Sequence, residues 1–231
     1  MRHMKLTRAC VVLTVVSTFG CSSEETSTPE NTWSITSPAF ASGAEIPKEY
    51  TCDGRPFPVG TNPQLDWTDG PSGTKSYALV LKHLAIVEGV DPTSPDYAKG
   101  FMWVVWDIPA NVRTLPASLG REALPPQIPG AQQWAIRNQF GYFAPCPNAD
   151  PAAATRVTDR YGFTLYALNT EKVTLPAKED SVANYALTLT KHLDAVNVGT
   201  TELRAVSSAV SSEAPVPVDM AALVYPAGTT P

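Results

Sequence analysis

Three histidines and four cysteines supply all the imidazole and thiol chemistry of this 231-residue chain. His3, Cys10 and Cys21 fall in the first twenty-one residues, which leaves His83, His192, Cys52 and Cys146 for a folded body. A Ser–His–Asp or Cys–His engine would have to use His83 as its base, because His192 lies on the outward side of a helical pattern and reads as solvated. A hydrolase could use Cys146 or His83, and a lyase could use His83. Cys52 and Cys146 are also an even pair, a disulfide candidate in an oxidising compartment; two unpaired buried thiols is the other reading. The histidine and cysteine count argues against a three-ligand zinc site. No Walker loop, GxGxxG, GxSxG, paired CxxC or HExxH helix occurs, and no cofactor is expected.

The compartment follows from the N-terminus. Arg2, Lys5 and Arg8 make a basic segment, and Ala9 to Gly20 is an uncharged apolar run too short to cross a bilayer, which takes roughly 20 residues. Residues 1–20 therefore read as a signal peptide. Thr18-Phe19-Gly20-Cys21, followed by Ser22-Ser23-Glu24-Glu25, resembles a bacterial lipoprotein cleavage site in which Cys21 is acylated and becomes the new N-terminus. Thr18 stands where that site usually has Leu. The expected location is a lipid anchor in the cell envelope, in the outer membrane where the host has one; a periplasmic or secreted chain is the alternative. Cleavage removes three of 17 basic residues and none of 22 acidic ones, leaving 14 against 22 and a net charge of −8. Nucleic acid is excluded as a partner, since phosphate neutralisation needs clustered Lys and Arg. Membrane contact is expected through the N-terminal lipid only.

The remaining length suits one domain. Residues 21–32 are Ser, Thr, Glu and Pro, a flexible tether; 33–206 carry the domain; 207–231 read as a loosely held Ala/Pro-rich tail, with Met220–Tyr225 able to pack as a strand. Tyr77–Leu84, Phe101–Ile108 and Tyr161–Asn169 are apolar runs rich in β-branched and aromatic residues, the pattern of strands buried on both faces. Val182, Tyr185, Ala186, Leu189, Leu193 and Val196 recur at helical spacing behind an Asp180-Ser181 cap. The Pro-rich connection 119–151 is expected at the surface, where binding chemistry tends to sit.

Taken in order, several segments resemble the phosphatidylethanolamine-binding protein family, in its bacterial Raf kinase inhibitor-like branch. They are Ser37-Pro38-Ala39-Phe40; Ile46-Pro47-Lys48-Glu49-Tyr50-Thr51-Cys52-Asp53-Gly54; Asn62-Pro63-Gln64-Leu65-Asp66-Trp67; Trp103-Val104-Val105-Trp106-Asp107-Ile108-Pro109; Phe140-Gly141-Tyr142-Phe143-Ala144-Pro145-Cys146-Pro147; and Arg160 to Leu168. The resemblance runs from about Trp33 to about Ala205. It implies a mainly β fold, a large antiparallel sheet packed on a smaller one with a short C-terminal helix. It also implies a small anion pocket at one end of the sheet, and places Cys52 and Cys146 near it.

At that pocket the chain departs from the family. His83-Leu84-Ala85-Ile86 replaces an Asp-Pro-Asp-Ala segment, Met102 replaces a histidine, and Asp159 replaces the His of a His-Arg-Tyr triplet. Tyr161 and Pro145-Cys146-Pro147 stand where expected. The ligand-binding set is therefore His83, Met102, Pro145, Asp159 and Tyr161. Acid and imidazole have exchanged places between positions 83 and 159, so Asp159 would meet one ring nitrogen of His83 while Tyr161 offers its hydroxyl to a ligand. Three functions stay open: a non-catalytic binding or inhibitory module for a small polar ligand, a hydrolase or lyase, and a structural partner of another envelope protein through the Pro-rich loop.

Overall fold

Strand β3, Ser76–His83, lies at the centre of the architecture. It pairs antiparallel with β4 (Phe101–Pro109) on one side and β7 (Asp159–Leu168) on the other. Beyond these lie β6 (Gln132–Ala135) and β8 (Asn197–Ser207), completing a five-stranded antiparallel sheet in the order β6-β4-β3-β7-β8. A three-stranded sheet is formed by β1 (Ile35–Thr36), β2 (Leu65–Trp67) and β5 (Thr114–Leu115), ordered β1-β2-β5. The computed structural model describes residues 33–135, 141–177 and 182–215. The signal segment, Cys21, the tether to Thr32, the Asp180-Ser181 cap and Met220–Tyr225 lie outside them. Among the described residues, no helix is long and apolar enough to cross a membrane.

Alternation along β3 explains its unbroken apolar sequence. Tyr77, Leu79 and Leu81 enter one core with Leu65, Trp67 and Leu115 of the small sheet, whereas Ala78 and Val80 enter a second core. That second core is closed by α2 (Val182–Val196), through Tyr185, Ala186, Leu189 and Leu193. The inner strands β3, β4 and β7 thus bury both faces over most of their length, and each fully buried Leu, Val or Phe contributes roughly 1.5–3 kcal/mol. The expected large-on-small sheet architecture with one substantial helix is the one observed.

Several details differ from the sequence reading. Leu84 leaves the strand to open a short helix, α1 (Leu84–Gly89). His192 is half-buried, its Nδ1 2.9 Å from the Thr188 carbonyl one turn earlier, rather than freely solvated. Strand β8 carries Thr200, Thr201 and Glu202 and was not expected as a strand; only Leu203, Ala205 and Ser207 show the period of two that buries its end. Ser207 belongs to β8, and the residues after it are tied down, with Ser212 donating to Arg55 and Glu213 bridging Pro56. The Pro-rich connection is not wholly superficial, since it contributes β6 and buries Leu119, Ile128 and Tyr142–Cys146.

Cys52 and Cys146 are bonded, with Cα atoms 5.4 Å apart across 94 residues of sequence. The bridge joins the turn after Lys48–Tyr50 to the Pro145–Pro147 loop, and the Cys52 amide donates to the Pro145 carbonyl at 3.2 Å. Restraining a loop of that length in the unfolded chain is worth about 4 kcal/mol. Replacing both cysteines by serine should lower the unfolding free energy by about that amount in urea titration, and unreduced protein beginning at Ser22 should take up no alkylating reagent. A loss below about 1 kcal/mol, or two alkylated thiols, would contradict this.

Lys82, next to His83, points to the opposite face. Its Nζ donates to the Tyr166 hydroxyl at 3.1 Å and lies 5.4 Å from that ring's centroid. Burial holds the ammonium below the ordinary lysine range, opposed by Glu202 and Asp194. Between the folded and unfolded values the unfolded chain binds more protons, so Lys82 makes stability rise with pH in that window. Burial raises the Tyr166 phenol, which reverses the slope once unfolded tyrosine ionises near pH 10. Just below the ordinary lysine range, before unfolded tyrosine ionises, Lys82→Met should therefore show a flatter stability profile than the parent; parallel profiles would refute the assignment.

Candidate functional site

The sheet's two-sided burial confines polar side chains to strand ends, and one such end gathers the residues singled out above. His83 is the last residue of β3 and lies opposite Tyr161 of β7. Asp159 opens β7 two residues earlier, so it shares a face with Tyr161 and with His83. The His83 Nε2 is 2.8 Å from Asp159 Oδ2, and the two side chains are 17% and 24% exposed. The imidazole also stacks on the Tyr161 ring, centroids 4.8 Å apart and planes inclined by 17°. An acid–imidazole pair stacked on a buried phenol is the core of the site.

The exchanged pair is thus in contact, and Tyr161 is more deeply buried than the sequence suggested. It is 1% exposed, its ring lying against the imidazole. Burial, then the neighbouring Asp159 charge, raises this phenol far above its ordinary range. Tyr161 is therefore a buried floor. Tyr142 lies beside it, also raised by burial and by Tyr161; its hydroxyl donates to the Tyr50 carbonyl at 3.0 Å, and its ring stands edge-on to Trp103 at 5.2 Å.

Met102 reaches the same core through a bulge. Leu81 faces Trp103 and Lys82 faces Phe101, leaving Met102 as an extra residue in β4. Its side chain consequently joins Trp103 on one face instead of alternating with it, and is 4% exposed. Where the family resemblance implies a histidine, the structure has a buried thioether. Pro145 is likewise buried and contributes its carbonyl to Cys52 rather than an exposed surface. His83 is in direct contact with Asp159 and with Tyr161. Cys146, spent in the bridge, offers no thiolate nucleophile.

Asn148 was missed. It is 4% exposed and hydrogen-bonds through both ends of its amide to the segments flanking Asp159. The sequence carried little signal for it beyond its place after Pro147 in a turn-rich stretch. Beside it, Asp53 accepts from Lys48 at 2.9 Å and from the Val210 amide at 3.2 Å; these contacts, Lys48 first, hold its carboxyl below the ordinary range.

Comparison with known proteins agrees with this architecture. A family model described as Phosphatidylethanolamine-binding protein matches residues 36–202. A UPF0098 protein of Aquifex aeolicus is 34% identical over 145 residues, covering 62% of this chain and 71% of that protein. The UPF0098 protein YbcL of Escherichia coli K12 is 31% identical over 159 residues, covering 68% and 80%. LppC of Mycobacterium tuberculosis, designated a candidate lipoprotein, is 32% identical over 143 residues, covering 58% and 54%. The crystal structure of E. coli YbcL superposes with a TM-score of 0.54 at 24% identity, covering 76% of this chain and 98% of that one, which speaks for the fold alone. With the family pattern matched across most of its folded length, the chain belongs to the phosphatidylethanolamine-binding protein family.

Proposed function

We propose that this chain is a non-catalytic binding module of the cell envelope, anchored by lipid on Cys21, whose altered pocket takes a small polar ligand of low charge in preference to a phosphate dianion. The observation that carries this reading is the His83–Asp159 contact at 2.8 Å at the open end of the sheet. A carboxylate at position 159 repels an incoming dianion, and Met102 supplies neither charge nor a hydrogen-bond donor. Tyr161 and Pro145 are buried and present no charge beside the pair. The bridge at Cys146 and the buried, raised Tyr161 hydroxyl speak against hydrolysis, because His83 would need a nucleophile beside it. The candidate-lipoprotein designation of LppC supports the anchor.

Calorimetric titration with inorganic phosphate tests the pocket. Asp159→Asn should tighten phosphate by about tenfold, equivalent to about 1.4 kcal/mol. Exchanging both positions, His83→Asp with Asp159→His, should retain the pair and improve phosphate binding further. Affinity for phosphate unchanged in both variants would count against the reading. For the anchor, Cys21→Ala should move the protein from the membrane to the soluble fraction; retention in membranes would reject lipidation at that residue.

A further inference from the structure

The β7–β8 ladder stops at the Asp159–Ser207 pair. Continued by one more step of the same parity, it would bring Val157 opposite Ala209. The side-chain amide of Asn148 occupies that step instead. Its Oδ1 accepts from the Val157 amide at 2.8 Å, while its Nδ2 donates to the Val157 carbonyl at 2.9 Å. The same Nδ2 reaches the Ser208 and Ala209 carbonyls at 3.0 and 3.2 Å. Asn148 also pairs through its own backbone, its amide donating to Ala209 at 3.2 Å and its carbonyl accepting from Ser211 at 3.1 Å. One side chain thus acts as a rung between two strands that have begun to separate.

The place of that rung gives it a role. Val157 is two residues before Asp159, and Cys146, held in the bridge to Cys52, is two residues before Asn148. Asn148 therefore secures the strand start that carries Asp159, one of the two residues that touch His83. From this juxtaposition we propose that Asn148 is a positioning residue for the ligand pocket, fixing the start of β7 so that the Asp159 carboxylate stays against His83. The role rests on the site reading given above. It differs from generic loop stabilisation in requiring the effect to appear at the His83 ring.

The full mature chain holds two histidines, His83 and His192, so ring NMR of protein beginning at Ser22 reports the site and carries an internal control on α2. Asp159→Asn gives the spectrum of a broken pair. Asn148→Ala should move the His83 ring signals at least half-way towards that spectrum, leaving His192 in place. Asn148→Ser, which keeps an oxygen for the Val157 amide, should fall between Asn148→Ala and the parent, and reads the same effect should the alanine variant not fold. An Asn148 variant with His83 unmoved, against a clear shift in Asp159→Asn, overturns the positioning role and leaves the site reading standing. An Asp159→Asn spectrum identical to the parent overturns the pair itself and both readings with it.

Discussion

Burial of the five-stranded sheet on both faces is the constraint from which the rest of this structure follows. Interior positions of β3, β4 and β7 enter one or other of the two cores, so a polar side chain there would lose water without gaining a partner. The exceptions show the rule. Thr164, in the middle of β7, bonds Glu202 on β8 at 2.8 Å, and Asp107 on β4 accepts from the Val173 amide at 2.8 Å and from Gln132 at 3.1 Å. Asp107 also sits at φ 57°, in the left-handed region that Asp tolerates better than most residues, so a single residue both bends the strand and satisfies a neighbouring loop. Polar chemistry free to meet solvent is pushed to where the strands run out, and His83 and Asp159 stand at one such end.

Strand ends are poor places to hold geometry, because the hydrogen-bond ladder that fixes register has stopped. This molecule holds its site there by converging loops rather than by adding strand. The Cys52–Cys146 bridge fastens two distant segments, the Cys52 amide engages Pro145, and the Asn148 side chain engages Val157. Each link is ordinary by itself, about 1 kcal/mol for a neutral hydrogen bond. Their value lies in acting on the same few residues. The stacked Tyr161 ring then gives His83 a rigid surface, and the Asp159 carboxylate fixes its rotation about that surface.

How far the sequence disclosed this depended on the kind of signal. Two-sided burial writes itself into composition, so Tyr77–Leu84 and Phe101–Ile108 were legible as interior strands from their unbroken apolar runs. The contact of His83 with Asp159 was legible because family motifs aligned two positions whose residue types had changed places. Strand β8 was not, because an edge strand with Thr200, Thr201 and Glu202 faces solvent over half its length and needs no apolar alternation there. Met102 was placed at the site by alignment, but its burial depends on a bulge, a register event that periodicity cannot show. The depth of Tyr161 was hidden for a similar reason, since the residues that bury it come from segments distant in sequence.

The exchange of acid and imidazole has a consequence that counting charges conceals. A histidine–carboxylate pair carries the same total charge whichever strand supplies which member, so exchanging them leaves the net charge of the site and the hydrogen bond between them intact. What reverses is the direction of the pair's dipole across the opening, and a ligand that approaches position 159 now meets oxygen where the family pattern implies nitrogen. Met102 adds a change that does alter the count, replacing an ionisable ring by a neutral thioether. The two substitutions act together: one removes an ionisable ring, the other moves the remaining imidazole to the opposite strand. Neither disturbs the sheet, because Met fills an apolar site well and the exchanged pair keeps its own bond. That is why the scaffold can remain a family scaffold while the residues at this strand end differ.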